Sequence, residues 1–224
     1  MKLRSKAYHM LVCSLPSLPS RLEGARRPIT LERLENRLRM LEPADAAEMH
    51  RMLATLQWSR QFEEPNDAAV VKRYTELMRA LKNPLTHELL STAMDLRMIT
   101  VALRRRRHGL GPPEIGIGAY LQHIRRHFNQ PDLGLGHRFP SITEYQQLLE
   151  QGDVLNLNRR LLEATWAHLK RRADDYYFSF EAVLLYVARW NIIRQWQDLD
   201  AARGRPIFEA LVTEALGEHA NIYS

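Results

Sequence analysis

One pair of histidines in this sequence has a spacing that can hold a metal ion. His123 and His127 are four residues apart, so they lie on one face of the helix predicted over residues 117–128. A hydrolytic zinc site would supply a glutamate between them, whereas this sequence has Arg125 and Arg126, whose guanidinium groups would repel a divalent cation. Two surface histidines on a basic helix are the favoured interpretation. We therefore expect no bound metal ion and no other cofactor.

The remaining motifs do not indicate catalysis. Glycines in the 109–118 segment could form a phosphate loop, but no strand is predicted before them, and Pro112 and Pro113 remove two amide donors. The segment is better interpreted as a helix end followed by a turn. The serines and histidines stand in no nucleophile-elbow or other catalytic context. Cys13 is the only cysteine, which excludes an intramolecular disulfide and a cysteine-based metal site. We predict that the protein is not an enzyme.

Basic clusters on predicted helices are the most conspicuous feature of the sequence. The run of four arginines at 104–107 ends a helix, where it either complements the helix dipole or forms a docking surface for an anionic partner. Further short clusters lack the interleaved aromatic residues of a platform for single-stranded nucleic acid. The candidate partner-binding residues are Arg104, Arg105, Arg106, Arg107, Arg125, Arg126, Arg159 and Arg160.

Composition places the chain among ordinary globular proteins. Its 224 residues are 45% hydrophobic and 26% charged, which suffices for one large or two small domains. Ten glycines and eleven prolines among long stretches of good helix formers disfavour an all-β fold. The net charge of +6 favours acidic partners without naming one. No apolar run approaches the roughly 20 residues that span a bilayer, so we expect a cytoplasmic protein.

Helical periodicity dominates the sequence, including the segments that carry the histidine pair and the basic clusters. Capping residues are predicted at Thr30, Thr86, Ser141 and Ser179, and Pro43 opens a further helix. Ser141 and Glu144 are predicted to form a capping box. The predicted helices include residues 31–41, 43–56, 67–81, 87–107, 117–128, 155–172, 180–202 and 207–216.

The predicted helix over residues 180–202 is apolar around most of its circumference, which is typical of a central core helix. We expect Trp166, Trp190 and Trp196 to share one core. Gly204 and Pro206 are predicted to end this helix.

The two longest predicted helices each run into a Gly/Pro segment and then a short helix, which suggests a weak internal duplication. The sequence thus predicts an all-α fold of helical hairpins or a bundle. It comprises an N-terminal helical unit over 1–113 and a C-terminal helical unit over 114–224, either separate or packed as one domain.

Several segments resemble known families. Residues 8–19 (YHMLVCSLPSLP), 27–32 (RPITLE) and 58–63 (WSRQFE) resemble an uncharacterised bacterial family encoded beside V/A-type rotary ATPase genes. The segments 94–109 and 186–205 are similar in style to the repeats of the C-type stalk component of those ATPases, whose eukaryotic counterpart is the d-type component.

The resemblance implies a fold and a role. The C-type component is an all-helical, non-catalytic funnel of three related domains, seated on the membrane rotor ring and receiving the central shaft, whereas this chain has room for about two such units. The implied role is a coupling subunit in ATP-linked ion or proton transport. Its partners would be the stalk and ring subunits, and its location would be cytoplasmic and peripheral to the membrane. The alternative is a basic helical adaptor that binds nucleic acid.

Overall fold

The computed structural model describes residues 8–55 and 67–220, the last twenty of them by their backbone. Within these ranges all regular secondary structure is α-helical, so the predicted all-α class is confirmed. Leu56, which ends the predicted helix over 43–56, and the segment 58–63 lie outside the described residues. The helices are α1 (His9–Ser14), α2 (Leu31–Leu38), α3 (Pro43–Thr55), α4 (Asp67–Ala80), α5 (Pro84–Arg107), α6 (Leu121–Arg126), α7 (Ile142–Gln151), α8 (Val154–Ala173) and α9 (Phe180–Ala220).

Three helix starts follow the local sequence. The Thr30 hydroxyl accepts a hydrogen bond from the Arg33 amide and caps α2. Pro43 is the first residue of α3, where its missing amide would be unpaired in any case. The Ser179 hydroxyl accepts from the Ala182 amide at the start of α9. These three predictions are confirmed, and each concerns residues within the first turn of its helix.

The predicted start of α5 is wrong. The helix begins at Pro84, and the Asn83 side chain caps it by accepting from the Leu85 amide at 2.9 Å. Asparagine is among the best capping residues, and proline is favoured at the first helical position. Thr86 lies inside the helix instead, where its buried hydroxyl donates to Glu48 Oε1 at 2.7 Å.

The predicted capping box before α7 is also absent. Ser141 occupies the capping position but makes no side-chain hydrogen bond to the helix backbone. Glu144 instead forms an ion pair with Arg160 of α8, at 2.7 Å. The Glu144 carboxylate therefore pairs with a guanidinium of a neighbouring helix, whereas the capping box predicts that it accepts from the Ser141 amide.

The predicted end of the last helix is wrong. α9 continues through Gly204 and Pro206 to Ala220, a length of about 60 Å at 1.5 Å per residue. Glycine and proline in a helix interior cost about 1 and 3 kcal/mol, and proline removes one amide hydrogen bond. These costs destabilise a helix but do not by themselves end it. α5 does end at Arg107, followed by Gly109 with φ +66°. The parallel between the two helix ends, which suggested an internal duplication, is therefore absent.

The core consists of two hydrophobic clusters that meet along α5 and α8. The first surrounds α9 and contains Trp166, Trp190 and Trp196, as predicted. Trp190 is 2% exposed, and its indole N–H donates to the Ile29 carbonyl at 3.0 Å.

The second cluster lies against the C-terminal half of α5 and is built from buried residues of α6, α7, α8 and the loop before α7. Its members are Met98, Ile99, Ala102, Leu103, Ile124, Phe128, Leu133, Leu135, Ile142, Tyr145, Leu149, Leu157 and Leu161. Each cluster contains residues from both sides of position 113. The division into units 1–113 and 114–224 stays a prediction.

Candidate functional site

Arg106, one of the eight predicted partner-binding residues, is bound within the protein. Its guanidinium donates to the carbonyls of Phe128 at 3.0 Å, Gln130 at 2.6 Å and Pro131 at 3.1 Å. It also donates to Gln146 Oε1 at 2.6 Å. Burial lowers the pKa of Arg106. These hydrogen bonds connect the end of α5 to the loop before α7 and to α7 itself.

Two further predicted arginines hold the segment that follows α5. The Arg105 Nε donates to the Gly111 carbonyl at 2.7 Å. The Arg125 Nε donates to the Pro113 carbonyl at 2.8 Å, and the same side chain also contacts the Glu114 carbonyl. The segment after α5 therefore forms the predicted turn, and one arginine of α5 and one of α6 hold it in place.

The other predicted arginines have mixed surroundings. Arg104 is half-buried, and burial, aided by Arg97, lowers its pKa. Arg159 stacks over the Trp196 ring at 4.5 Å and pairs with Asp200 at 3.4 Å. Arg160 forms ion pairs with Glu144 at 2.7 Å and with Glu163 at 2.8 Å.

Arg107 and Arg126 are exposed, and their side chains form no hydrogen bond or ion pair with the described residues. Partner binding by any of the eight arginines stays a prediction.

His123 and His127 form a stacked pair with ring centroids 4.1 Å apart. His123 Nε2 donates to the Gly134 carbonyl and His127 Nδ1 donates to the His123 carbonyl, each at 3.0 Å. One nitrogen of each ring therefore binds the backbone. Within the described ranges, no group of three or more His, Cys, Asp or Glu side chains is arranged to hold a metal ion.

Sequence reasoning missed a cavity of about 500 Å³ between α5, α8 and the loop at 137–141, here named the α5–α8 cavity. Its apolar lining includes Leu89, Ala93, Leu96, Phe139 and Leu169, and its polar lining includes Thr92, Asp95, Tyr120, His137, Arg138, Ser141, Tyr145, Thr165, His168 and Arg171. These residues come from separate elements, so no local spacing could bring them together. The feature of the sequence that comes closest to indicating this cavity is the adjacent pair His137 and Arg138 in a Gly/Pro loop.

Burial shifts the pKa values of three groups that line this cavity, Asp95, Tyr145 and His168, and it raises that of Tyr145 to about 12. Asp95 is 6% exposed, and its Oδ1 accepts from the Ala119 amide at 2.7 Å. Burial raises the pKa of Asp95, although this hydrogen bond and a second one from the Tyr120 backbone oppose the shift. Burial lowers the pKa of His168, whose Nε2 lies 3.8 Å from Glu88 Oε1 and has no hydrogen-bond partner in the described structure.

Exposed aromatic and thioether side chains make up a second candidate surface, here named the α1 patch: His9, Met10, Tyr177 and Phe178. Met10 is 81% exposed, Tyr177 75% and Phe178 38%. The His9 and Phe178 rings lie 4.6 Å apart, and the Tyr8 amide donates to the Phe178 carbonyl at 2.6 Å. Phe178 has φ +49°, a left-handed conformation that costs a non-glycine residue about 1–2 kcal/mol.

Among the described residues, the protein is all-α, has a polar-rimmed cavity of about 500 Å³ and exposes the side chains of the α1 patch. None of the helices in that part of the chain has both the length and the apolar composition needed to cross a membrane. The chain belongs to the DUF2764 family, described as a protein of unknown function, whose model matches residues 49–218. No curated protein and no solved structure matches the chain.

Proposed function

We propose that this protein is a non-catalytic coupling subunit of a V/A-type rotary ATPase, linking the central stalk to the membrane rotor ring. It would act in the cytoplasm, peripheral to the membrane, as part of an ion- or proton-transporting complex. The resemblance of residues 8–19, 27–32 and 58–63 to a family encoded beside such ATPases supports this role. The all-α fold agrees with it.

The observation that carries the proposal is the α1 patch. Large exposed aromatic and thioether side chains are residue types that anchor protein interfaces, and two of the rings, His9 and Phe178, lie against each other. Tyr177 and Met10 are each at least three-quarters exposed, so they stabilise the isolated fold little. A surface of this kind is expected of a subunit that binds proteins and transforms no substrate.

Backbone strain at Phe178 adds to this argument. The left-handed conformation turns the chain between α8 and α9 at a cost that a glycine would avoid. Strain of this kind persists where a side chain is needed in a particular place. We therefore expect Phe178→Gly to weaken partner binding, while relief of the backbone strain offsets part of the packing lost with a ring that is 38% exposed and lies against His9.

The test is co-expression of this chain with the ATPase stalk and ring subunits of the same genome. Wild-type protein should co-purify with the complex at a fixed stoichiometry. Tyr177→Ser combined with Phe178→Gly should weaken association at least about tenfold, because anchor residues contribute about 2 kcal/mol or more to binding. A matched control is Leu110→Ser with Ile115→Ser, which removes two side chains that are 51% and 50% exposed in the segment after α5.

Two results would contradict the proposal. The first is that wild-type protein does not associate with the complex. The second is that patch and control variants bind equally well. The alternative role in nucleic acid binding predicts a salt-sensitive mobility shift of a DNA duplex and no recovery with the ATPase.

A further inference from the structure

The α5–α8 cavity has the size and the lining of a small-molecule site. Its volume of about 500 Å³ falls within the 300–1,000 Å³ typical of ligand pockets. An inorganic ion would leave most of that space empty. Leu89, Leu96 and Phe139 provide an apolar lining against which an organic ring or chain can pack.

Two guanidinium groups lie beside this apolar lining, and the charge of one of them, Arg138, also acts on the buried Asp95. Arg138 and Arg171 line the cavity and are exposed, and their side chains form no hydrogen bond or ion pair with the described residues. His168 also lines the cavity, but burial lowers its pKa and its Nε2 lies 3.8 Å from Glu88 Oε1, so the positive charge here comes from the two arginines. Unengaged guanidinium groups next to an apolar wall suit the oxygen atoms of a carboxylate, phosphate or sulfonate.

The nearby carboxylates oppose an anion only weakly. Glu88, which faces His168, is held by Arg172, whose Nε lies 2.8 Å from Glu88 Oε1. Asp95 uses its Oδ1 to accept from the backbone of the segment before α6, and burial raises its pKa. Position 118 next to this carboxyl requires a glycine, because a Cβ there would lie 2.4 Å from Asp95 Oδ1. Asp95 therefore fixes the cavity wall.

We propose that the α5–α8 cavity binds a small organic anion, with its apolar body against Leu89, Leu96 and Phe139 and its anionic group at Arg138 and Arg171. This site goes beyond the coupling role and does not depend on it. Carboxylates, phosphates and sulfonates share the required chemistry, so the test uses one defined probe and its uncharged counterpart.

The probe is 8-anilinonaphthalene-1-sulfonate, and the counterpart is N-phenyl-1-naphthylamine, which has the same rings without the sulfonate. Fluorescence titration at low salt should show saturable binding of the sulfonate probe by wild-type protein. Arg138→Gln combined with Arg171→Gln should weaken its affinity about tenfold or more, because two charge-assisted contacts are lost. Affinity for the uncharged probe should change less than about twofold.

Two further variants separate cavity binding from general effects. Arg107→Gln with Arg126→Gln removes the same net charge at exposed arginines that do not line the cavity, and it should leave both affinities unchanged. Ala164→Phe places a ring on the cavity wall and should weaken both probes. Circular dichroism and melting temperature verify that each variant is folded.

The proposal is overturned if Arg138→Gln with Arg171→Gln binds the sulfonate probe like wild type. It is overturned equally if the Arg107 and Arg126 control loses as much affinity, since binding would then report only net charge. Unchanged binding of both probes by folded Ala164→Phe would place them outside the cavity and would also refute it.

Discussion

Replacing Arg106 tests whether the arginine run at the end of α5 is structural. Arg106→Gln removes a guanidinium that donates to three loop carbonyls and to the Gln146 side chain. Arg107→Gln is the matched control, because Arg107 stands at the same helix end but is exposed and its side chain has no such partners in the described structure. Both variants lose one charge beside the same helix dipole, so their difference isolates the hydrogen bonds.

The expected difference follows from how exposed the four acceptors are. The carbonyls of Gln130 and Pro131 are in exposed hydrogen bonds, so water replaces the lost donor at little cost. The Phe128 carbonyl and Gln146 Oε1 are in partly buried ones. A hydrogen bond to a charged group contributes about 1.5–3 kcal/mol, so these two together give about 3 kcal/mol at the lower end. Arg107→Gln should cost at most about 1 kcal/mol, the usual limit of the dipole effect.

Urea unfolding measures both variants. We expect a lower midpoint for Arg106→Gln with an unchanged m-value, and a melting temperature lower by about 6–12 °C for a chain of this size. Arg106→Lys should show most of the same loss, because a lysine keeps the charge but cannot reach four acceptors in a fork. Equal stabilities of Arg106→Gln and Arg107→Gln would refute the reasoning, and so would wild-type stability of Arg106→Lys.

Three further predictions concern buried groups. Trp190→Ala should cost about 3–5 kcal/mol in chemical unfolding, since a 2% exposed indole and its bond to Ile29 are lost, and a loss below about 1 kcal/mol would contradict its burial. Burial lowers the pKa of His168 below its ordinary 6.5, so the unfolded chain binds the proton first and stability should fall as pH drops below 6.5. A pH series of melting temperatures should show a smaller fall for His168→Gln, and an identical profile would refute this assignment. Burial raises the pKa of Tyr145 to about 12, so the unfolded phenol ionises first and stability should fall between about pH 10 and 12, less steeply in Tyr145→Phe. An unchanged slope in Tyr145→Phe would show that other groups cause the alkaline loss.

Features that depend on a few neighbouring residues were predictable from the sequence. The all-α class follows from the 3.6-residue period, and the caps at Thr30 and Ser179 follow from hydroxyl groups placed just before apolar stripes. The shared core of Trp166, Trp190 and Trp196 follows from helices with few polar positions. Local pattern misled at Gly204 and Pro206, because a propensity of a few kcal/mol does not by itself end a helix of 41 residues.

Only the tertiary structure decided what the charged residues do. Sequence spacing shows that Arg104 to Arg107 share a helix end, but whether each is bound or free depends on carbonyls and side chains that other elements bring there. The α5–α8 cavity has the same origin, since Asp95, Arg138 and His168 come from α5, a loop and α8. A hydrogen bond or cavity between distant segments depends on distances of a few ångströms in space. Composition and periodicity carry no such distances, so the sequence by itself determined the helices, and their packing determined the surfaces.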